Sequence, residues 1–368
     1  MSKQGRLIFI AVYVLTGLGL VMTYSASAVY ADHVYHNPYH FLFRQALYVL
    51  LGTLVMFATA SVPVSFWKRN ALSLILLAVF FLVVVFIPGV GKSAGGAQRW
   101  IGLGLFNFQP AEFAKVAVIL YLSDYLARKK KMIRDGGLKI FLPPMLLVGL
   151  ACSLILLQPD LGSCAFIFLM VAILIFFAGL RIRYVAAAAA IIVPVFYFLV
   201  IRVPYRASRV TAYLNPWNDP QGNGFQIIQS FLAFGLGGIK GVGLGQGMQK
   251  LFYLPSSYND FIFAVITEEL GLLGALFVIL LYGAIFVCGI QMAEERTQDY
   301  DRMLIVALTL SMVLQALINM LVTTGLIPTK GLPMPFVSYG GTSIIFNFMA
   351  AGLLLGMDRQ FHNIKARA

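Results

Sequence analysis

Asp260 stands in the run Tyr258-Asn259-Asp260-Phe261-Ile262-Phe263. A carboxylate among aromatic rings is partly stripped of water, which raises its pKa and suits it to accept a proton as a general base. The position equally suits a helix cap, since Asn and Asp favour the residue before a first helical turn. Glu268 and Glu269 follow on the same apolar run; for Glu269 in particular a structural ion pair or helix–helix hydrogen bond is expected. Glu112 and Lys115 are spaced i, i+3 and share a helix face. They either pair, which is cheaper in lipid than either charge alone, or leave Lys115 to contact an anionic substrate. Arg44, Arg99 and Lys330 are further cations. An arginine offers phosphate a planar fork and a lysine a point charge. Gln158-Pro159-Asp160 is a tight turn that sets Asp160 on the same side. Several cations around one carboxylate suit a substrate carrying a pyrophosphate.

These residues must be placed by a membrane scaffold. The 368 residues are 60% hydrophobic and 11% charged, with a mean hydropathy of +0.87. Soluble domains carry roughly 25% charged residues, so this chain cannot cover itself with a polar surface. Apolar runs at 7–28, 43–60, 70–87, 111–127, 140–157, 161–179, 184–201, 261–291, 303–325 and 339–357 predict about ten transmembrane helices, each needing about 20 apolar residues. The fold class expected is an all-α polytopic membrane protein, a single integral domain over 1–368. Ser25-Ala26-Ser27-Ala28 resembles a signal-peptidase site, but the apolar stretch before it is long and many spans follow, so retention as a first span is expected.

The net charge of +13 does not indicate nucleic acid, because the Lys and Arg lie in short loops rather than on one basic face. The positive-inside rule accounts for them. With the N-terminus inside, the cytoplasmic segments hold Lys3 and Arg6, Lys68 and Arg69, the run 128–131, and Arg359, Lys365 and Arg367 near the cytoplasmic C-terminus. Cys152, Cys164 and Cys288 fall inside apolar runs without metal or disulfide spacing, and read as packing residues. His33, His36 and His40 read as solvated loop residues.

The segment from about 202 to 260, between the seventh and eighth spans, then faces outward. Phe225, Ile227, Ile228, Phe231, Leu232 and Phe234 form a stripe at helical spacing, followed by seven glycines between 235 and 247. A short interfacial or re-entrant helix and a flexible glycine-rich turn are expected. Irregular backbone at membrane depth is tolerated only against protein or a water-filled cavity. No nucleoside triphosphate is supplied outside a plasma membrane, so chemistry there needs a substrate already activated, such as a sugar joined to a lipid by pyrophosphate.

At these residues the chain resembles the SEDS family of bacterial shape and division proteins, over nearly its whole length. The resemblance is carried by Tyr24-Ser25-Ala26-Ser27-Ala28, Gly96-Ala97-Gln98-Arg99-Trp100-Ile101, Gln109-Pro110-Ala111-Glu112 with Lys115, Gln158-Pro159-Asp160-Leu161-Gly162, Asn215-Pro216-Trp217, Asp260-Phe261-Ile262-Phe263-Ala264, Glu268-Glu269-Leu270-Gly271, Pro328-Thr329-Lys330-Gly331 and Ser338-Tyr339-Gly340-Gly341-Thr342-Ser343. Pro-Thr-Lys-Gly and Asn-Pro-Trp point to the division and sporulation members rather than the elongation type. The resemblance implies a ten-helix fold and polymerisation of lipid II into glycan strands at the outer face of the plasma membrane, at the division septum. It also implies work with a class B penicillin-binding transpeptidase and other division proteins. It makes Asp260 the expected catalytic residue, with Arg44, Arg99, Glu112, Lys115, Asp160, Lys330 and Ser338 as the expected substrate-binding set. No metal ligand is assigned, and a divalent cation such as Mg or Mn is the one cofactor left open. The four residues before the aspartate, Ser256-Ser257-Tyr258-Asn259, depart from the family's Glu-Pro or Glu-Ala followed by His-Thr. The aspartate is then positioned by other means or is less active. A lipid II flippase and an inactive division scaffold are the rival readings.

Overall fold

The first apolar run folds as one continuous helix. In this computed structural model α1 spans Lys3–Tyr35, and the Ser2 hydroxyl caps it by accepting from the Gly5 N–H at 2.8 Å. The structure describes residues 1–368 except 95–96, 105, 135–137, 181–185, 187–189, 191–193, 195–196, 198–201, 203, 223, 251–253, 255–256, 330 and 366–368. The helices after α1 are α2 (His40–Ser61), α3 (Val64–Val84), α4 (Pro110–Arg134), α5 (Leu142–Leu157), α6 (Leu161–Phe177), α7 (Pro204–Leu214), α8 (Phe225–Gly237), α9 (Ile262–Glu294), α10 (Asp299–Thr323) and α11 (Gly341–Lys365). Residues 25–28 lie inside α1, with Ala26 and Ser27 buried, so this stretch belongs to the bundle.

Among the described residues seven helices are long and apolar enough to cross a membrane: α1, α2, α3, Lys139–Leu157, α9, α10 and Gly341–Asn363 of α11. α6 is apolar but only 17 residues long. α4, at the expected span 111–127, carries charge at both ends, yet every residue from 110 to 124 is buried. Its neighbours are α3, α5, α6, α10 and α11; a helix wrapped by others need not be apolar all round. The expected span 184–201 lies almost entirely outside the described residues. Phe43, Leu146 and Leu280 point outward at 65%, 66% and 69% exposure, as a lipid-facing surface requires. α2 and α11 approach closely because a side chain at Gly352 or Gly356 would strike Thr59 or Ala60, the small-residue packing common between membrane helices.

Two features add to the helical fold expected. Residues 91–108 form a three-stranded antiparallel sheet, β1 (Gly91–Ala94), β2 (Ala97–Leu103) and β3 (Phe106–Phe108). Gly91 pairs with Ile101 and Ile101 with Phe108. The strands are short and interrupted by glycines, so no alternating pattern marked them in the sequence. The sheet is fastened to the start of α11, where the Thr342 hydroxyl donates to the Asn107 carbonyl at 2.6 Å. The second feature is a break in α9 at Gly271 (φ 69°, ψ −168°). The glycine-rich segment is not a loose turn but a clasp over this break. Val242 and Gly243 N–H donate to the Glu268 and Glu269 carbonyls at 3.0 Å, and Leu272 N–H to the Gly238 carbonyl at 2.9 Å. Gly271 adopts its left-handed φ with Gly241 backbone so close that no Cβ fits at either residue. The expected stripe is α8, which buries Ile227, Ile228 and Ala233 and donates from the Ser230 hydroxyl to the Thr323 carbonyl at 2.6 Å.

Candidate active site

Asp260 sits just before α9 and is half-buried. Phe261, not Asp260, occupies the cap position, and α9 has no side-chain cap. The capping reading therefore fails, and among the described residues no hydrogen-bond donor reaches the Asp260 carboxylate. Its peptide, by contrast, is fixed from three sides. The Asn319 amide on α10 donates to the carbonyls of Asp260 and Leu332, both at 2.9 Å. The Ser338 hydroxyl donates to the Asn259 carbonyl at 2.6 Å and accepts from Met334 N–H at 2.8 Å. Tyr339 N–H donates to the Tyr258 carbonyl at 2.9 Å. Gln45 on α2 locks the far side of this loop, donating to the Ser338 carbonyl at 3.0 Å. The carboxylate lies over Gly331, where a Cβ would come 3.0 Å from Oδ2.

Burial pushes the Asp260 pKa up to about 6, Arg209 and Arg99 pull against the rise, and Asp160 adds to it. Among the described residues, Arg99, Asp160 and Arg209 are thus the charges that act on the carboxylate. Arg99 on β2 donates through Nε to the Gln158 carbonyl at 3.0 Å and through a terminal nitrogen to the Pro159 carbonyl, tying the sheet to the α5–α6 turn. Asp160 caps α6, accepting from Ser163 N–H at 3.0 Å and the Ser163 hydroxyl at 2.8 Å. Arg209 on α7 donates to the Thr329 carbonyl at 3.4 Å.

The other expected residues divide. Lys115 and Glu112 are both buried and paired at 2.8 Å. The Lys115 ammonium also donates to Gln315 at 3.0 Å, whose amide donates onward to the Pro333 carbonyl at 2.7 Å. The paired reading is the one realised here, and the couple reaches the 331–340 loop through Gln315. Ser338 is buried and holds backbone on both sides of its hydroxyl. Arg44 is exposed on α2, and its charge acts on the Tyr339 hydroxyl. Lys330 lies outside the described residues. Glu269 pairs with Lys250 at 2.8 Å, and accepts from Ser25 at 2.7 Å and Gly245 N–H at 3.0 Å. Glu268 accepts from Met248 N–H at 2.7 Å. Both glutamates clamp the glycine-rich clasp, the structural role expected for Glu269.

Sequence reasoning missed Arg209, Gln315, Asn319 and Gln45. Gln315 and Asn319 carried a legible signal, two amides at i, i+4 inside an apolar helix. Tyr258, at the place the resemblance gives histidine, fills an aromatic cluster with Phe41 (ring centroids 4.6 Å apart) and Tyr339 (5.8 Å). Burial pushes its pKa up to about 12, so it stays neutral and leaves proton acceptance to Asp260. Among the described residues no three His, Cys, Asp or Glu side chains converge to hold a metal.

Residues 5–363 match the cell cycle protein family of FtsW, RodA and SpoVE. The chain is 43% identical over 357 residues to a probable peptidoglycan glycosyltransferase FtsW of Geobacter sulfurreducens, covering 97% of this chain and 95% of the relative. It is 42% identical over 358 residues to stage V sporulation protein E of Bacillus subtilis, covering 97% of each. It superposes with a TM-score of 0.79 and 29% identity, over 96% of this chain and 97% of the other, on a chain solved in a peptidoglycan synthase complex that coordinates polymerization and crosslinking. The rod shape determining protein RodA of Thermus thermophilus shares the fold at a TM-score of 0.69 and 24% identity, over 96% of each chain. Matched by the family model over residues 5–363 and 42–43% identical to named members along 97% of its length, this chain belongs to the FtsW/RodA/SpoVE family of cell cycle proteins.

Proposed function

We propose that the chain is a peptidoglycan glycosyltransferase that polymerises lipid II at the outer face of the bacterial plasma membrane. The observation that carries this is Asp260: its carboxylate takes no hydrogen bond from the described residues, its pKa is raised to about 6, and Arg99 and Arg209 act on it. A base with a pKa near working pH is mostly charged yet still holds a proton well. Asp260 takes the proton from the acceptor's GlcNAc 4-hydroxyl. That oxygen forms a bond to the donor's anomeric carbon, the carbon–phosphate oxygen bond breaks, and undecaprenyl pyrophosphate leaves with the electron pair. The leaving group gains negative charge, which Arg99, Arg209 and the expected cation Lys330 stabilise. The fixed peptide around Asp260 keeps the base in place through this step.

The orientation that supports this has both termini inside, ten spans and the 202–260 segment outside, because the basic run 128–131 lies at the far end of α4 from the sheet bearing Arg99. The solved neighbour comes from a complex coordinating polymerization and crosslinking; a class B penicillin-binding transpeptidase is the corresponding partner here, with other division proteins at the septum. The relatives named as glycosyltransferases do not favour the flippase reading. Purified Asp260→Asn protein should fold normally and make no glycan from lipid II; normal polymerisation would reject the role.

A further inference from the structure

A notch of about 490 Å³ lies between α3 and α4, lined by Ser65, Lys68, Arg69, Leu72, Asp124 and Arg128. It is at the far end of the molecule from the site. α3 runs 21 residues from here toward the sheet, roughly 30 Å at 1.5 Å per residue. Ser65, Lys68, Arg69 and Leu72 are spaced i, i+3, i+4, i+7 and share one face of α3. Three cations and one carboxylate line it. Asp124 is buried and already neutralised by Arg128 at 2.6 Å; Asp301 on α10 acts on Lys68 from outside the lining, yet among the described residues neither Lys68 nor Arg69 has a carboxylate within ion-pair distance. Lys68 is steadied over the Tyr300 ring at 5.2 Å. The volume is that of a small-ligand site, roughly 300–1,000 Å³.

We propose that this notch binds the phosphate headgroup of an anionic phospholipid in the leaflet opposite Asp260. The lipid rather than a soluble anion is indicated by what lies next to the cations. Leu72, at 52% exposure, lines the notch and begins an outward strip continued one and two turns on by Leu76 and Phe80, at 51% and 58%. A phosphate held by Lys68 and Arg69 would lay its acyl chain along that strip. Cationic pockets between helices at a membrane–water boundary are suited to such headgroups. The placement in the inner leaflet rests on the orientation proposed above; the binding itself does not.

The full chain in neutral detergent, given phosphatidylglycerol or phosphatidylcholine with the same acyl chains, tests this by native mass spectrometry. Retention of phosphatidylglycerol is expected to exceed that of phosphatidylcholine by about ten-fold. Lys68→Gln/Arg69→Gln should weaken it by about 25-fold, at about five-fold per cation. Lys129→Gln/Lys131→Gln, with the same charge loss outside the notch, should hold it within about two-fold. Equal retention of the two lipids, equal loss in both double variants, or displacement by inorganic phosphate at matched concentration overturns the proposal. A protein that ignores lipid but binds polyglutamate through Lys68 and Arg69 holds an acidic protein segment instead, which also overturns it. Should the first double variant not fold, the wild-type lipid preference and the phosphate competition decide. Retention in micelles depends neither on polymerisation nor on which leaflet the notch faces, so failure of the enzymatic reading and failure of this one are separable.

Discussion

The pH dependence of polymerisation reads Asp260 directly. With a pKa of about 6, the carboxylate is about 10% charged at pH 5, about half at pH 6, about 90% at pH 7 and about 99% at pH 8. If only the charged form accepts the acceptor's proton, the rate at pH 5 is about one tenth of that at pH 8. A carboxyl at the ordinary 3.8 would already be about 94% charged at pH 5, and the two rates would nearly coincide. The sign of each neighbour is fixed as well. Arg209 favours the charged carboxylate, so Arg209→Gln raises the Asp260 pKa and moves the acidic limb toward neutral pH; Arg99→Gln does the same to a smaller extent. Asp160 disfavours the charge, so Asp160→Asn moves the limb to lower pH. The assay is glycan formation from saturating lipid II between pH 4.5 and 8.5, with melting followed over the same range to exclude unfolding. Loss of an arginine also lowers the plateau through the pyrophosphate, so the midpoint is the quantity read. A flat profile from pH 5 to 7 in folded protein, or a limb that stays put in Arg209→Gln, would refute the reasoning.

Asn319→Leu keeps the branched shape but leaves the Asp260 and Leu332 carbonyls without the donor they share. At roughly 1–3 kcal/mol per unsatisfied buried group, melting in detergent should drop sharply and polymerisation should fall by at least about ten-fold. Gly331→Ala puts a methyl 3.0 Å from Asp260 Oδ2 at an exposed position, so activity is expected to fall while the melting temperature barely moves. Lys250→Met leaves the Glu269 charge buried without its partner, which costs roughly 3–5 kcal/mol. Adding Glu269→Gln, which removes the charge but keeps an acceptor for Gly245 N–H, should restore part of that stability in the same melting experiment.

Much of this was legible because lipid imposes a blunt rule. Runs of about 20 apolar residues must be helices, and α1, α2, α5, α6 and α10 begin within four residues of where the hydropathy puts them. Asp260 stood out for the same reason, as a charge beside such a run. What the chain hid depends on contacts distant in sequence. The break at Gly271 exists only because Gly241 lies against it, and the run 261–291 otherwise reads as one long helix. Lys250 finds Glu269 across the clasp, so spacing along a helix could not pair them. The sheet over 91–108 is too short and too glycine-broken to show a period of two. α7 carries Arg206 and Arg209 amid polar residues and resembled a loop, which hid Arg209 from any motif.

The altered residues before Asp260 bear on whether this chain depends on a second titratable group. A histidine at position 258 would titrate near the base and perturb its charge. Tyr258 is held neutral by burial and spends its ring on Phe41 and Tyr339, while its carbonyl takes the Tyr339 N–H. Positioning here rests on neutral groups: the amide of Asn319, the hydroxyl of Ser338 and main-chain N–H. None of these changes charge between pH 5 and 8. Among the described residues, such a site tunes its base through burial and the charges of Arg99, Arg209 and Asp160. Its acidic limb should therefore follow a single ionisation, with no second inflection, and returning histidine at position 258 should add one.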